Sequence, residues 1–259
     1  MDLIQLEFYA HSLGGAVRVN VLLPSPSPER LEAQGPAAVY AQEAGRKWPT
    51  LLLLHGMQGN ESAWLRHSMA EQSAAQAGVA VVMPGLLNSY GFDLGFDLSF
   101  EQYLRTELPA FLASRLPLDL SPAQYTVAGL SMGGFAALRL AALDPGRYAA
   151  AGSFSGAVEP WGVVQRRGEK AAGAVLAHTD ALDGLRGTQP VYLACGQQDA
   201  LVLDMNRRLH QRLESAGIPH TYEEWSGGHE WTFWDTALRR FLTWRAQHLS
   251  PCSERKELQ

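Results

Sequence analysis

Gly129-Leu130-Ser131-Met132-Gly133 restricts this chain more than any other stretch. It fits G-x-S-x-G, the pattern of a nucleophile elbow, in which a serine stands on a sharp turn between a strand and a helix. The flanks agree. Tyr125-Thr126-Val127-Ala128 before it is short, apolar and β-prone, as a buried strand is. Gly134–Leu143 after it has helical composition and is closed by Asp144-Pro145-Gly146. Glycines beside the serine let the backbone turn without Cβ clashes. A helix starting there aims free N–H groups at any oxyanion forming beside the hydroxyl. A Gly-rich turn that only packs a helix on a sheet is the plainer reading. Strand, motif and helix standing in order favour the elbow.

The rest of the chain repeats the same alternation. Ile4–Tyr9 and Val17–Leu23 read as an opening antiparallel pair around Gly14-Gly15. Leu51–Leu54 is an uninterrupted apolar run, as expected of a strand covered on both faces. A helix over Glu61–Ala77, a strand over Val79–Met83 and a helix over Phe100–Leu116 precede the elbow. After it come strands at Tyr148–Phe154 and Val191–Cys195, a helix over Asp204–Ala216, a strand at His220–Trp225 and a helix over Glu230–His248. Such alternation predicts an α/β fold, a mainly parallel twisted sheet with helices on both faces, as one domain over residues 1–249. Pro24–Trp48 has little apolar periodicity and reads as a surface excursion, partly disordered. The tail 250–259 reads as disordered. The segment 159–186, mixed in Gly, Ala and charge, reads as a small mobile cap or lid.

Composition narrows the function classes. At 259 residues the chain has the usual length of a single α/β domain, and its net charge of −5 comes from interspersed acids and bases. Nothing in that pattern points to a nucleic-acid or anionic-membrane partner, and none is expected. No apolar run reaches membrane-span length, and the start lacks a basic region followed by a long apolar one. Cys195 falls in a predicted buried strand and Cys252 in the tail, so no disulfide is expected and a cytoplasmic location is favoured. Self-association is left open.

A serine hydroxyl needs a base to remove its proton. In α/β-hydrolases the partners follow in the order Ser, Asp or Glu, His. Val191–Gly196 followed by Gln197-Gln198-Asp199 supplies a strand, a glycine, a short loop and a carboxylate, so Asp199 is the candidate acid. Asp204 competes but reads as the cap of the next helix, and Asp183 precedes its strand. Of the later histidines, His210 and His248 lie in helices and His220 opens a strand. His229, in Ser226-Gly227-Gly228-His229-Glu230, stands in a loop between strand and helix and is the candidate base. A helix-capping histidine is the plainer reading, outweighed by the chain order. His55-Gly56-Met57 at the end of Leu51–Leu54 supplies a second oxyanion donor, so the hole is assigned to the backbone N–H groups of Met57 and Met132. His55 is then structural. No metal-ligand spacing rises above chance, since loop polarity explains His178-Thr179-Asp180 with Asp183, and no cofactor is expected. Trp64, Tyr90, Phe92, Trp161 and Trp231 are candidates to line the pocket, although aromatics more often fill cores.

The stretch Leu51–Asn60 with Trp64, then Gly129–Phe135, resembles the esterase D/tributyrin esterase family of α/β-hydrolases. That family includes S-formylglutathione hydrolases, feruloyl esterases and mycolyl transferases. Ser153–Ala157 and Gly228–Asp235 are similar to its small bacterial tributyrin-esterase-like members, as is the opening Phe8-Tyr9 with Val17–Val21. The resemblance spans nearly the whole chain. It implies an α/β-hydrolase fold, a triad of Ser131, Asp199 and His229, and oxyanion donors at Met57 and Met132. The implied activity is serine carboxylester hydrolysis of short-chain acyl esters, small molecules, through an acyl-enzyme. S-formylglutathione hydrolases carry a cysteine in the loop after His-Gly, where this chain has Gln58-Gly59-Asn60. Acyl transfer, or removal of acyl groups from carbohydrates, ferulates or thioesters, is the alternative for the same triad. An idle binding protein is a third reading, disfavoured because such proteins usually lose a triad member.

Overall fold

Leu51, Leu52, Leu53 and Leu54 have no polar side to turn toward water, and the chain buries both. In the computed structural model, which describes residues 1–95, 98–160, 181–185 and 189–249, all four are fully buried. Leu52 and Leu54 enter one core, while Leu51 and Leu53 enter the other, as the two-residue repeat of a strand requires. This strand, β3 (Trp48–Leu54), is central in a nine-stranded sheet. The others are β1 (Asp2–Ala10), β2 (Gly15–Leu23), β4 (Ala80–Pro84), β5 (Leu118–Asp119), β6 (Tyr125–Leu130), β7 (Ala150–Phe154), β8 (Val191–Gly196) and β9 (His220–Trp225). Their order is β1-β2-β4-β3-β6-β7-β8-β9, with β5 paired to the start of β3. Only the β1/β2 and β2/β4 pairs are antiparallel. The expected mainly parallel α/β architecture is what forms.

Helices cover both faces. One core packs the helix after the elbow, α7 (Met132–Leu143), with α8 (Leu203–Ser215) and a long helix before the elbow. That long helix runs from α5 (Phe100–Gln102) through a π turn (Tyr103–Glu107) into α6 (Leu108–Arg115). The other core packs α4 (Ala70–Ala77) with α9 (Trp231–His248). None of the described helices is long and apolar enough to cross a membrane.

Two expectations need correction. The excursion 24–48 contains two helices, α1 (Pro28–Gln34) and α2 (Pro36–Glu43), each with proline in its first turn. The Ser27 hydroxyl accepts from the Arg30 N–H at 3.3 Å, and the Arg30 guanidinium reaches Glu43 at 2.6 Å. Among their residues only Val39 is buried, so the pair folds without the apolar stripe by which sequence reveals a helix. The helix expected over 61–77 is broken into α3 (Ala63–His67) and α4. Ser68 breaks it: its hydroxyl donates to the Trp64 carbonyl at 2.6 Å and accepts from Ala70 N–H at 3.2 Å. The lid expected over 159–186 and the tail 250–259 lie largely or wholly outside the described residues. Within 181–185, a turn (Ala181–Gly184) packs on α7 and buries Leu182 and Leu185.

Candidate functional site

The elbow is built by close approach. A Cβ on Gly133 would lie 2.5 Å from the Leu54 carbonyl oxygen and 2.6 Å from that of His55. One on Gly129 would lie 2.5 Å from Gly133 backbone atoms. No side chain fits either place, so both positions require glycine. Between them Ser131 takes φ 50° and ψ −114°, a conformation that L residues rarely adopt. Its N–H donates to Phe154 O at 2.9 Å, and its carbonyl accepts from Ala157 N–H at 3.0 Å, so β7 and the turn beyond it hold the strained residue. Gln58, Leu87, Tyr90 and Ser155 also have positive φ. All stand just past the carboxyl ends of β3, β4 and β7, and such clustered strain marks a functional end of a sheet.

Three side chains from three loops meet there. The His229 ring places Nε2 3.0 Å from Ser131 Oγ and Nδ1 2.8 Å from Asp199 Oδ2. Asp199 is fully buried, and its other oxygen accepts from the N–H groups of Leu201 and Val202, each at 3.2 Å. A buried carboxylate so satisfied is an acceptor, which puts the proton of a neutral His229 on Nδ1 and leaves the Nε2 lone pair facing the serine hydroxyl. The Trp234 ring stands edge-on to the imidazole, centroids 4.9 Å apart, and limits its rotation. Ser131 is 9% exposed and His229 about a quarter, so both are reachable from solvent.

Ser131 and His229 line a cleft of about 500 Å³ whose walls include Met57, Tyr90, His67, Trp231 and Trp234. Met132 stands first in α7, where its N–H has no carbonyl one helical turn back to bond. Met57 follows β3 on the cleft wall, and its sulfur accepts from the Tyr90 hydroxyl at 3.2 Å. His55 is buried beneath this loop. Its Nε2 accepts from Leu86 N–H at 2.9 Å, which leaves Nδ1 to donate to Gly56 O at 2.7 Å. Burial pushes the His55 pKa down, and this neutral ring ties the loops after β3 and β4 together.

The sequence candidates therefore divide. Ser131, Asp199 and His229 come together, and Met57, Tyr90 and Trp231 border the same space, while Met132 follows Ser131 as the first residue of α7 and is buried. Trp64 does not. It is fully buried, donates from its ring N–H to Leu54 O at 3.1 Å and packs against Phe154, so it is a core residue. Phe92 is likewise core. Trp161 and the His178-Thr179-Asp180 run lie outside the described residues. Asp204 is no helix cap: it sits exposed in the first turn of α8, and Asp199 instead receives the chain entering that helix, its carboxylate accepting from Val202 N–H at 3.2 Å and its backbone carbonyl from Leu203 N–H at 3.0 Å. His67 and Trp234 were not singled out from sequence. Trp234 had a signal, since it lies one turn beyond Trp231 on the same helix face. His67, stacked on Trp231 at 5.0 Å, had none.

The chain matches the family model described as putative esterase over residues 10–244. An acetyl esterase of Caldicellulosiruptor saccharolyticus is 26% identical over 95% of this chain and 99% of that protein. Among solved structures, the fluorophosphonate-binding serine hydrolase F of Staphylococcus aureus superposes with a TM-score of 0.83 at 21% identity, covering 96% of this chain and 99% of that one. An S-formylglutathione hydrolase of the same species gives a TM-score of 0.79 at 22% identity over the same shares.

Proposed function

We propose, from the premise that this chain belongs to the esterase family, that it is a serine carboxylesterase acting on short-chain acyl esters. The observation that carries this reading is the continuous series Ser131–His229–Asp199, with spacings of 3.0 and 2.8 Å, at the floor of an open cleft. Ser131 Oγ attacks the ester carbonyl while His229 Nε2 takes its proton. The Asp199 carboxylate holds the imidazole in the required tautomer and stabilises the imidazolium. The N–H groups of Met57 and Met132 accept the charge that develops on the carbonyl oxygen. Collapse breaks the bond to the alcohol oxygen, which leaves with the proton from Nε2, and Ser131 keeps the acyl group. Water, deprotonated by the same histidine, then releases the acid. The acetyl esterase relative supports a small acyl group. The free buried thiol of Cys195 suits a reducing compartment, and we place the enzyme in the cytoplasm.

Turnover of p-nitrophenyl acetate, together with labelling by a fluorophosphonate, tests the reading. Hydrolysis with the label mapped to Ser131 is the expected result. Labelling elsewhere, or turnover that survives in Ser131→Ala, overturns it.

A further inference from the structure

The base of a triad stands on a loop, and something must hold that loop. Here the loop 226–228 is gripped from the acid's side. Backbone bonds lengthen the pairing of β8 and β9: Gln197 N–H donates to Trp225 O at 2.9 Å, and Gln198 N–H to Gly227 O at 3.0 Å. The two backbones run so close that a Cβ on Gly196 would lie 2.3 Å from Gly227 O. At Gly227 the chain swings to φ 149° and leaves this pairing. From there to His229 the backbone needs other partners. The Gly227 N–H donates to the Gln198 side-chain oxygen at 2.7 Å, and the Ser226 hydroxyl reaches the same oxygen at 3.2 Å. Both contacts are donors, which fixes the carboxamide with Oε1 toward the loop.

From this geometry we infer that Gln198 is a positioning residue that sets the register between Asp199 and His229. It touches neither substrate nor the reacting atoms. It is next to the acid in sequence and bonded to the loop that carries the base, so a displacement of Ser226 and Gly227 relative to Asp199 must stretch its two bonds, while the Gly228 N–H donates to Glu230 Oε1 at 3.1 Å. Gln198 is exposed, and its side chain adds nothing to either core. Its effect therefore falls on the placement of the imidazole rather than on folding. The inference rests on the proposed roles of Asp199 and His229.

The test compares Gln198→Met, which keeps the length but removes the acceptor, with Gln198→Glu, which keeps an acceptor at the same reach. Steady-state kinetics on p-nitrophenyl acetate are followed across pH, so that plateau kcat values are compared after any shift that the added charge gives the base. The expected result is a fall of about tenfold in plateau kcat for Gln198→Met. KM stays within about twofold and the melting temperature is unchanged, since an exposed side chain is removed. Gln198→Glu recovers most of the loss. A Gln198→Met plateau equal to wild type, or a Gln198→Glu as impaired as Gln198→Met, overturns the inference. His229→Ala run in parallel separates the two levels. If it is inactive while Gln198→Met is normal, the positioning role alone fails. If it remains active, the assignment of the base fails and takes the inference with it.

Discussion

Asp199 and Asp204 carry the same side chain on the same short segment, and burial separates their fates. Asp199 has no exposure and three hydrogen-bond donors around its carboxylate; Asp204 faces solvent in the first turn of α8. Asp199→Asn keeps the shape but offers His229 a donor where an acceptor was, favouring the wrong tautomer. A kcat loss on the order of 10⁴-fold is expected. Asp204→Asn should leave kcat within about twofold, since an exposed first-turn acid contributes only ~0.3–1 kcal/mol through the helix dipole. Parallel kinetics on the two variants decide between the carboxylates, and a sensitive Asp204 would reverse the assignment. Ser131→Ala should cost about 10⁶-fold in kcat, because base and acid then have nothing to activate. Its circular dichroism and unfolding midpoint should match wild type, which separates lost chemistry from a lost fold. The place of Asp199 beside His229, on which its proposed role rests, was legible because strand, glycine, short loop and carboxylate stand in a fixed order. The aromatic wall was not: Trp64 and Trp231 are both near catalytic loops in sequence, and only packing shows that the first is core and the second lines the cleft.

Among the elements, the elbow depends on two glycines for reasons of space. Gly133→Ala would push a methyl group to 2.5 Å from the Leu54 carbonyl, and neither β3 nor α7 can retreat without opening a core. A loss of about 1–3 kcal/mol is expected. Gly146→Ala is the useful contrast, since nothing lies within 4 Å of its Cβ position and only its φ of 82° resists. It should cost roughly 1–2 kcal/mol through backbone strain and leave kcat alone. Urea titration with kinetics on both variants checks this, and a fully active Gly133→Ala would contradict the elbow geometry. Why the strand–helix alternation was legible, and the helices in 24–48 were not, follows from burial. Elements that cover a core must show an apolar repeat, whereas α1 and α2 bury only Val39 between them and are fixed by the Ser27 cap, a proline at each start and an Arg30–Glu43 pair. The break at Ser68 escaped for a related reason, because one side chain competing for the backbone leaves no trace in the hydrophobic pattern. A second elemental feature ties the helix before the elbow to the helix after it. Burial raises the Glu101 carboxyl, but the Arg139 and Arg105 guanidiniums outweigh it and hold the group below its usual range. Arg105 holds Asp144 low in the same way, through a direct hydrogen bond. Carboxyl pKa values depressed by folding mean stability that is present above the unfolded value near 4 and lost as pH falls through the folded one. The stability that these carboxylates supply should therefore be constant from about pH 5 upward, and melting temperature should fall steeply below about pH 4, after a shallower fall toward pH 5 that the lowered His55 pKa adds. Arg105→Met should lower the plateau and reduce the slope of that fall. An unchanged slope would exclude this charge ladder as a source of acid sensitivity.

At the scale of the whole molecule, the sheet order brings the loops after β3, β4, β6, β8 and β9 to one end, and on the proposed function the cleft they enclose would set which acyl chains fit. Its walls are rigid. Trp231 is wedged edge-on between Trp64 and Trp234, with centroids 5.4 and 5.3 Å away, and His67 stacks on its face. Tyr90, also on the cleft wall, is 3% exposed and packs edge-on against Phe135 of α7. Each methylene that enters such a preformed apolar space contributes ~0.8 kcal/mol, about fourfold in kcat/KM, until the wall is met. The next methylene either stays in water, adding nothing, or clashes. The profile across p-nitrophenyl esters should therefore climb from acetyl to butyryl and drop sharply by octanoyl. A curve that keeps climbing through decanoyl would mean the aromatic wall opens into a long groove. Trp231→Ala provides the internal check. Removing the indole should lengthen the cleft and move the maximum toward longer chains, while acetyl turnover falls little because the Ser131–His229–Asp199 series is untouched. An unmoved maximum in that variant would place the limit on another wall.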